Sequence, residues 1–457
     1  MTGTRPMRTF ARTVETDSDP NMDTRASTDN SPPSRTDKPN ALERDGKNLL
    51  NPVANAVMEQ FNRFGQRRKS MHTALRRSVA IAGLGALATL ATATAASAQG
   101  SDPGAVGQRT QQDTVFVQTN SPSGNAIDVF AQHSDGTLSW QGTVPTGGLG
   151  GQAAGSVADH LASQHSLTYD HRNRLLFAVN AGSDSLSVLS AQGGDLRLVQ
   201  VVSSGGDFPD SVTVHGDLVY VLDAGRSGTV TGYRIFGDHL IPLPGSSRTL
   251  GLSNTTPPFF LSSPGQIGFS PNGADLIVTT KGSTSSLDVF TVNAAGLPSA
   301  TPTVTADPGN SPFSFTFSPS GQLVTAEAGH STVHTYALGS GGSLTSLSAS
   351  VPDGQAALCW ITKDGGYYYV ANVGSNNLSA YSVASDGIPS LVGSTGVAAT
   401  TDAGPIDIGA SADTSTLYVE AGAAGAVDEF HVNPDGSLSN IGSVAGLGAG
   451  IEGIAIN

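Results

Sequence analysis

The chain has 457 residues, of which 6% are aromatic, 13% are charged and 56 are glycine. This turn-rich composition without long charged helices is typical of an all-β protein. The single cysteine, Cys359, excludes an internal disulfide framework, a CxxCH haem attachment and a cysteine-rich zinc site.

Charge is distributed unevenly along the chain. The net charge is −14, but residues 1–98 contain 14 of the 23 lysines and arginines. From Gln99 onward, 9 basic residues stand against 28 acidic ones. A body with this balance repels nucleic acid and anionic lipid, so nucleic acid is not expected as a partner.

The first hundred residues carry an extension and an export signal. Residues 1–70 are rich in Pro, Ser, Thr and Asp without sustained periodicity, which predicts disorder. Residues 71–98 have the parts of a signal peptide: a basic start (MHTALRRS), an apolar stretch over 79–95 and an Ala-Ser-Ala cleavage motif at 96–98. An uncleaved anchor is the alternative, but the stretch is only weakly hydrophobic. We predict cleavage, secretion or periplasmic location, and no membrane attachment afterwards.

A repeat follows a short linker at residues 99–113 and extends over residues 114–457. One copy, LLFAVNAGSDSLSVLS from Leu175, consists of a strand, a polar turn and a second strand. Seven copies recur, and their turns are 43 to 60 residues apart. The copies start at Val115, Leu175, Val219, Leu276, Leu323, Tyr368 and Leu417. Seven all-β repeats at this period predict a seven-bladed β-propeller.

An additional strand precedes every copy except the first. These strands start at His165, Asp210, Gly265, Phe313, Ala357 and Ile406. The missing strand is found at the end of the chain, where residues 450–456 read GIEGIAI. Because a ring of blades is sealed when the last strand completes the first blade, we predict four-stranded blades closed by the C-terminal strand pairing into the first blade.

Two long connections interrupt the regular spacing, at residues 147–163 and 244–263. Both lie between an outer strand and the next inner strand, so both emerge on the same face of the propeller. The turns after the second strands emerge on that face too. Loops on a rigid scaffold commonly carry function, and we place the candidate site on this face.

One polar side chain per repeat lies at the start of a turn. These residues are Asn120, Asn180, Asp223, Lys281 (next to Thr280), Glu327, Asn372 and Glu420. Turn chemistry accounts for the Asn and Asp positions, but not for Glu327, Glu420 or Lys281. Three carboxylates near one cation would bind a polar ligand or act as general acid and base. The alternative is Ca²⁺ bound by their oxygen atoms, and no other cofactor is expected.

The segments that lead into the inner strands place His165, Gln266 and Trp360 on the same face. His165 is a candidate general base, with capping of a strand end as the alternative. Cys359, next to Trp360 in an alternating strand, is assigned to the core rather than to a nucleophile. GxSxG, HExxH and Walker motifs are absent, and the histidines lack ligand spacing, so no zinc site is predicted.

The segments LLFAVNAGS, QIGFSPNG and YYYVANVGS, with Asp-Gly-x-Leu turns such as residues 135–138, resemble the lactonase-type seven-bladed propellers. That family includes the propeller form of 6-phosphogluconolactonase and the carboxymuconate-lactonising cyclases. The resemblance implies lactone chemistry, with an Arg-His pair entering one inner strand and an Asn-Glu pair ending the next. In this chain only His165 and Asn180 match, because Gln164 and Ala181 stand in place of the arginine and the glutamate.

Two functions follow from these observations. The first is an exported lactone or ester hydrolase, or a lactone-forming cyclase, with His165 or Glu327 as base and Lys281 stabilising an oxyanion. Its small polar substrate would be bound by Asn180, Asp223, Gln266, Trp360, Asn372 and Glu420. The second is a non-catalytic exported propeller that binds a glycan, a peptide or a protein. A monomer is expected in either case.

Overall fold

The computed structural model describes residues 113–457, which form a ring of seven β-sheets. The predicted extension at 1–70, the signal peptide at 71–98 and the linker up to residue 112 lie outside the described residues. No helix within the described range has the length and hydrophobicity needed to cross a bilayer.

Each blade has four antiparallel strands, and in blades 2 to 4 these are consecutive and run in chain order from the inner to the outer position. Blade 2 contains β4 (Leu167–Asp170), β5 (Leu175–Asn180), β6 (Ser185–Gln192) and β7 (Asp195–Ser203). Blade 3 contains β8 (Pro209–His215), β9 (Leu218–Asp223), β10 (Thr229–Phe236) and β11 (His239–Pro242), with β12 (Arg248–Thr249) also on β10. Blade 4 contains β13 (Pro264–Phe269), β14 (Asp275–Thr280), β15 (Ser286–Thr291) and β16 (Thr303–Ala306).

Blades 5 to 7 repeat this order. Blade 5 contains β17 (Pro312–Phe317), β18 (Leu323–Glu327), β19 (Thr332–Leu338) and β20 (Leu344–Ser346), with a 3₁₀ turn at Ser340–Gly342 and β21 (Val351–Pro352) on β19. Blade 6 contains β22 (Leu358–Asp364), β23 (Tyr367–Asn372), β24 (Asn377–Val383) and β25 (Pro389–Leu391), with β26 (Ala399–Thr400) on β24. Blade 7 contains β27 (Pro405–Ala410), β28 (Thr416–Ala421), β29 (Ala426–Val432) and β30 (Leu438–Ala445).

Blade 1 joins the two ends of the ring, as the sequence predicted. It contains β1 (Thr114–Gln118), β2 (Ala126–Gln132) and β3 (Leu138–Pro145), with β31 (Ile454–Ile456) innermost. Antiparallel pairing places Val115 opposite Ile456 and Val117 opposite Ile454. The predicted seven-bladed propeller with a C-terminal closing strand is therefore confirmed.

The hydrophobic core is divided into seven clusters, one between each pair of neighbouring blades. Successive side chains of a strand point to opposite faces, so Val115 and Val117 pack against blade 7 while Phe116 packs against blade 2. Both faces of each middle strand are thus buried. This explains why segments such as LLFAV are hydrophobic at every position instead of alternating with polar residues.

The two insertions meet on one face of the ring. The amide of Ala154 donates to the carbonyl of Pro258 (2.8 Å), and the amide of Phe260 donates to the carbonyl of Ala154 (3.1 Å). Residues 147–163 and 244–263 therefore emerge on the same side, as predicted.

Candidate functional site

Residues 147–163, which we call the covering segment, cross the central channel on the insertion-bearing face. Asn120 of blade 1 makes two side-chain hydrogen bonds to the backbone of Gly151 (2.9 and 3.0 Å). At the other end of the segment, the indole nitrogen of Trp360 in blade 6 donates to the carbonyl of Ser163 (2.9 Å). The segment is therefore tied to blades 1 and 6 and, through the carbonyl of Ala162, to Lys281 after the second strand of blade 4, so it covers this end of the channel.

Irregular pairing at the start of the inner strands aims side chains into the channel. In blades 3 to 7 the register between the first and second strands shifts at this point. The residues skipped by the pairing are Asp210, Gly265, Phe313, Cys359 and the Ile406–Asp407 pair. A β-bulge re-aims its side chain, so these positions form a ring beneath the covering segment.

Lys281 lies at the centre of this ring, and its side chain is 3% exposed. Its ammonium group donates to the carbonyl of Ala162 in the covering segment and lies 4.7 Å from the centre of the Phe313 ring. Burial lowers the pKa of Lys281, while the charges of Asp159 and Asp210 oppose that shift. The only cation among these groups is thus held by a backbone carbonyl and an aromatic face.

Five buried carboxyl groups lie in the same region, and the charges of three of them, Asp159, Asp210 and Glu452, act on this lysine. Together with Lys281 they form what we call the channel cluster: Asp159, Asp210, Asp407, Glu420 and Glu452. Burial raises the pKa of each of them above its ordinary value. One ammonium cannot neutralise five carboxylates, and burial favours the uncharged form of each of these groups.

Backbone amides satisfy part of the channel cluster. Glu452 accepts from the amide of Leu161 (2.6 Å), Asp159 from the amide of Ala162 (2.5 Å), and Glu420 from that of Gly453 (2.9 Å). By contrast, neither carboxyl oxygen of Asp210 has a hydrogen-bond partner among the described residues, although the residue is fully buried. An unpaired buried carboxyl is costly. Asp223 and Asp364 share this feature, but Asp210 differs from them because the charge of Lys281 acts on it.

His165 lies beside the channel cluster, between two glutamine amides. The amide of Gln266 is fixed by the backbone of Phe315, which donates to Oε1 (2.7 Å) and accepts from Nε2 (3.2 Å). The same Nε2 group lies 3.2 Å from Nδ1 of His165, and the amide nitrogen of Gln164 lies 3.5 Å from Nε2 of the imidazole, so an amide faces each ring nitrogen. Burial lowers the pKa of His165 to about 4. General-base catalysis by His165 stays a prediction that this environment does not favour.

The structure separates the predicted site residues into two groups. His165, Gln266, Lys281, Trp360 and Glu420 lie in the channel region. The other four, Asn180, Asp223, Glu327 and Asn372, lie within or between blades, at the end of each second strand. Their side chains contact the neighbouring third strand or the connection from the preceding blade.

Three of these positions, Asn180, Glu327 and Asn372, act as latches between blades. Asn180 donates to Ser185 and Ser187 of its own blade and accepts from Thr146 (2.7 Å), which follows blade 1. Asn372 donates to Asn377 and Ser379, and Ser379 also donates to Asp353. In blade 5, Glu327 accepts from Thr332 (2.6 Å) and contacts Nδ1 of His334 (2.9 Å). Substrate binding by these residues stays a prediction that this geometry does not favour.

Strand register places Glu420 one position away from the other latch residues. Asn180, Glu327 and Asn372 each pair at the last position of their hairpin, where blade 7 has Ala421. The repeat alignment was therefore wrong by one residue at Glu420. Since side chains alternate along a strand, Glu420 points away from the latch position and joins the channel cluster.

Calcium binding by the turn carboxylates stays a prediction. Asp223, Glu327 and Glu420 have different neighbours in the structure. Within the described range, one group of three or more residues has possible metal-ligand atoms close together, and it consists of Asp307, Glu327 and His334. Asp307 and His334 were not singled out from the sequence, because they come from different repeats and have no motif spacing. The same is true of Asp159, Asp210, Asp407 and Glu452 in the channel.

Two clefts on the outer rim of the propeller are not lined by any predicted site residue. One, of about 520 Å³, lies between blades 1 and 2, and the other, of about 680 Å³, lies between blades 4 and 5. The ionisable groups converge in the channel and not at the rim, so the channel is the candidate site.

Asp223 predicts a pH dependence of stability. Burial raises the pKa of Asp223 to about 7, and the charges of Asp184 and Asp207 add to this shift. A carboxyl whose pKa is higher in the folded state than in the unfolded state stabilises the fold at low pH. This contribution is complete below the pKa of the unfolded state and is lost as the pH rises through the pKa of the folded state. We therefore expect wild type to lose, between about pH 5 and pH 8, a few kcal/mol more stability than Asp223→Asn. Denaturant unfolding at several pH values measures this; a pH-independent difference between the two proteins would contradict it.

Comparisons with known proteins support the fold. A proposed 6-phosphogluconolactonase from Bacteroides fragilis is 16% identical, with a TM-score of 0.60, and the match covers 78% of this chain and 100% of that one. A similar protein from Bacteroides uniformis is 17% identical, with a TM-score of 0.58 over 76% and 99% of the two chains. The periplasmic gluconolactonase PpgL of Pseudomonas aeruginosa is 18% identical, with a TM-score of 0.59 over 75% and 98%.

The chain has the fold of the lactonase-type propellers. No family model and no curated protein sequence matches it. At identities of 16–18% the likeness is one of architecture, so substrate and chemistry must be argued from the residues of this chain.

Proposed function

We propose that the protein is an exported lactone or ester hydrolase whose active site is the channel cluster beneath the covering segment. The observation that supports this most strongly is the contact between Lys281 and the carbonyl of Ala162. A buried ammonium that binds a carbonyl oxygen of its own chain offers the same interaction to the carbonyl oxygen of a substrate. That interaction strengthens as the oxygen gains negative charge in the transition state.

The reaction assigns one role to each of three groups. In its carboxylate form, which the charge of Lys281 favours, Asp210 accepts a proton from water, and the resulting hydroxide adds to the lactone carbonyl carbon. Lys281 stabilises the oxyanion, and the imidazole of His165 forms a hydrogen bond with the substrate. Collapse of the intermediate breaks the ring C–O bond, and the proton on Asp210 passes to the leaving alkoxide. The product is a hydroxy acid, and Asp210 is regenerated as the carboxylate.

Substrate access requires the covering segment to move. Ala162 has φ = 59° and His165 has φ = 66°, which non-glycine residues adopt at a cost of about 1–3 kcal/mol. These two strained positions flank the part of the segment that carries Ser163, the partner of Trp360. Opening would release Lys281 from Ala162.

Export is part of this proposal. The basic start and the Ala-Ser-Ala motif of residues 71–98 support a cleaved signal peptide. The Pseudomonas aeruginosa neighbour is a periplasmic protein. After export the enzyme would act as a monomer on a small, polar, soluble lactone.

The test is the hydrolysis of a panel of five- and six-membered sugar lactones and simple esters by the purified protein, followed by proton release in a pH-stat. We expect turnover of at least one lactone that persists in EDTA, because no step uses a metal ion. Asp353→Asn alters a carboxyl in the blade 6 latch and serves as a control that should retain turnover. Absence of hydrolysis across the whole panel would overturn the proposal.

A non-catalytic binding propeller is the second candidate, and the closed channel favours it. In that case the channel cluster would be a buried polar core, and a glycan, peptide or protein would bind on the covering segment. Saturable binding of such a ligand without turnover of any lactone would support this function over the first.

A further inference from the structure

A second cluster of ionisable groups lies between blades 4 and 5. Donor atoms of Asp307, Glu327 and His334 all lie within 4.8 Å of one another. Nδ1 of His334 is 2.9 Å from Oε1 of Glu327. Ligand atoms around one transition-metal ion at about 2.0–2.2 Å are separated by a similar distance.

The cluster contains an oxygen atom without a partner. Oδ1 of Asp307 accepts from the side chain of Asn310 (2.6 Å), but Oδ2 is buried and has no hydrogen-bond partner within the described part of the chain. Asp307 is 6% exposed. The charge of Glu327 adds to the burial that raises the pKa of Asp307 to about 6. A shared proton or a bound cation reduces the repulsion between two carboxylates at such a site.

The equivalent positions of other blades show that joining blades does not need these residues. Blade 2 uses Asn180 with Ser187, and blade 6 uses Asn372 with Ser379. His334, Ser187 and Ser379 hold equivalent positions on the third strands of their blades. Each pairs with the residue two positions before the end of the second strand. Amide and hydroxyl groups suffice for the latch of blade 2, and the latch of blade 6 adds one carboxyl, Asp353. The second carboxyl and the imidazole of blade 5 exceed that structural need.

The imidazole is oriented for a further ligand. Nε2 of His334 lies 2.8 Å from the hydroxyl of Ser346, and its ring lies 4.2 Å from that of Tyr336, centre to centre. A hydrogen bond at one ring nitrogen fixes the orientation of the other toward a metal ion. The side chain of His334 is 11% exposed, which gives an ion a path from solvent. The backbone of Asp307 is fixed by Ser285 of blade 4, whose carbonyl accepts from it (2.8 Å).

We propose that Asp307, Glu327 and His334 form a binding site for one divalent transition-metal ion, of which Zn²⁺ is the preferred example. One imidazole nitrogen and two carboxylate oxygens suit Zn²⁺ or Mn²⁺, whereas Ca²⁺ prefers sites made of oxygen alone. With three protein ligands the remaining position is open to water. The ion would connect the end of blade 4 to the second and third strands of blade 5.

The test is a titration of the metal-free protein with Zn²⁺ by calorimetry. We expect about one tight Zn²⁺ per chain, and an affinity reduced at least tenfold by Asp307→Asn and by His334→Gln. Asp353→Asn removes a carboxyl from the corresponding latch of blade 6 and should bind Zn²⁺ like wild type. Thermal melts of the metal-free proteins check that the variants are folded, and added Zn²⁺ should raise the Tm of wild type and Asp353→Asn only.

Two results would overturn the proposal. One is the absence of tight Zn²⁺ binding to wild type, because Zn²⁺ binds such ligands more tightly than Mn²⁺ does. The other is Zn²⁺ binding that is unchanged in Asp307→Asn and His334→Gln, since it would then involve other histidines. Neither result depends on whether the channel hydrolyses lactones.

Discussion

Replacing Lys281 by methionine is expected to reduce lactone turnover about 100- to 1000-fold, which is the usual cost of removing one donor from an oxyanion site. The ammonium is the one positively charged group of the channel cluster. Methionine keeps the length and the packing against Phe313 but cannot stabilise a negative oxygen. The loss should be in kcat, because the interaction is strongest in the transition state. Initial rates over a range of lactone concentrations measure it.

Lys363→Met is the matched control. Lys363 is the other lysine of the described residues, and its ammonium donates to the carbonyl of Gly365 in a turn of blade 6. Turnover by this variant should equal that of wild type. If Lys281→Met retained full turnover while remaining folded, Lys281 would have no part in the reaction.

Removal of residues 450–457 is expected to prevent stable folding. The deletion exposes the inner edge of blade 1 and removes Ile451 and Ile454, which are 1% and 8% exposed. Loss of one buried isoleucine typically costs about 2–5 kcal/mol, and a whole domain is stable by only about 5–15 kcal/mol. An unpaired strand edge also promotes aggregation. Circular dichroism and size-exclusion chromatography should show an unfolded or aggregated chain.

A circular permutant tests whether folding needs strand β31 itself or needs it at the C-terminal end of the chain. Residues 446–457 would precede residue 113, joined by an Asn-Gly turn, and the chain would end at Ala445. Strands β31 and β1 are antiparallel, and the amide of Asn457 donates to the carbonyl of Thr114 (3.1 Å). A short hairpin can therefore join the two strands. This permutant should fold with a Tm near that of wild type. Normal folding of the truncated chain would show that β31 does not close the ring.

The sequence predicted those parts of the structure that repeat. The hydrophobic strands and the missing first strand recur with the period of the blades, so GIEGIAI could be assigned to blade 1 from its pattern alone. The common face of the two insertions followed from their position between an outer and an inner strand. Repetition also caused the error at Glu420, because the last polar residue of blade 7 lies one position before the latch.

The site was harder to predict because its residues do not repeat. The bulges that aim Asp210 and Asp407 into the channel depend on strand pairing and leave no mark on the hydrophobic pattern. Asp159 belongs to an insertion, and its partner Glu452 is nearly 300 residues away in sequence. Asp307 and His334 meet across a blade boundary. Such contacts become visible only when the ring is assembled.

The most direct test of the channel as the active site is a crystal structure of the protein with a lactam, a cyclic amide that has the shape of a lactone but resists hydrolysis. We predict that the lactam carbonyl oxygen lies within hydrogen-bond distance of Nζ of Lys281, with Ala162 displaced and Asp210 facing the carbonyl carbon. A lactam bound elsewhere, with Lys281 still held by Ala162, would contradict the account.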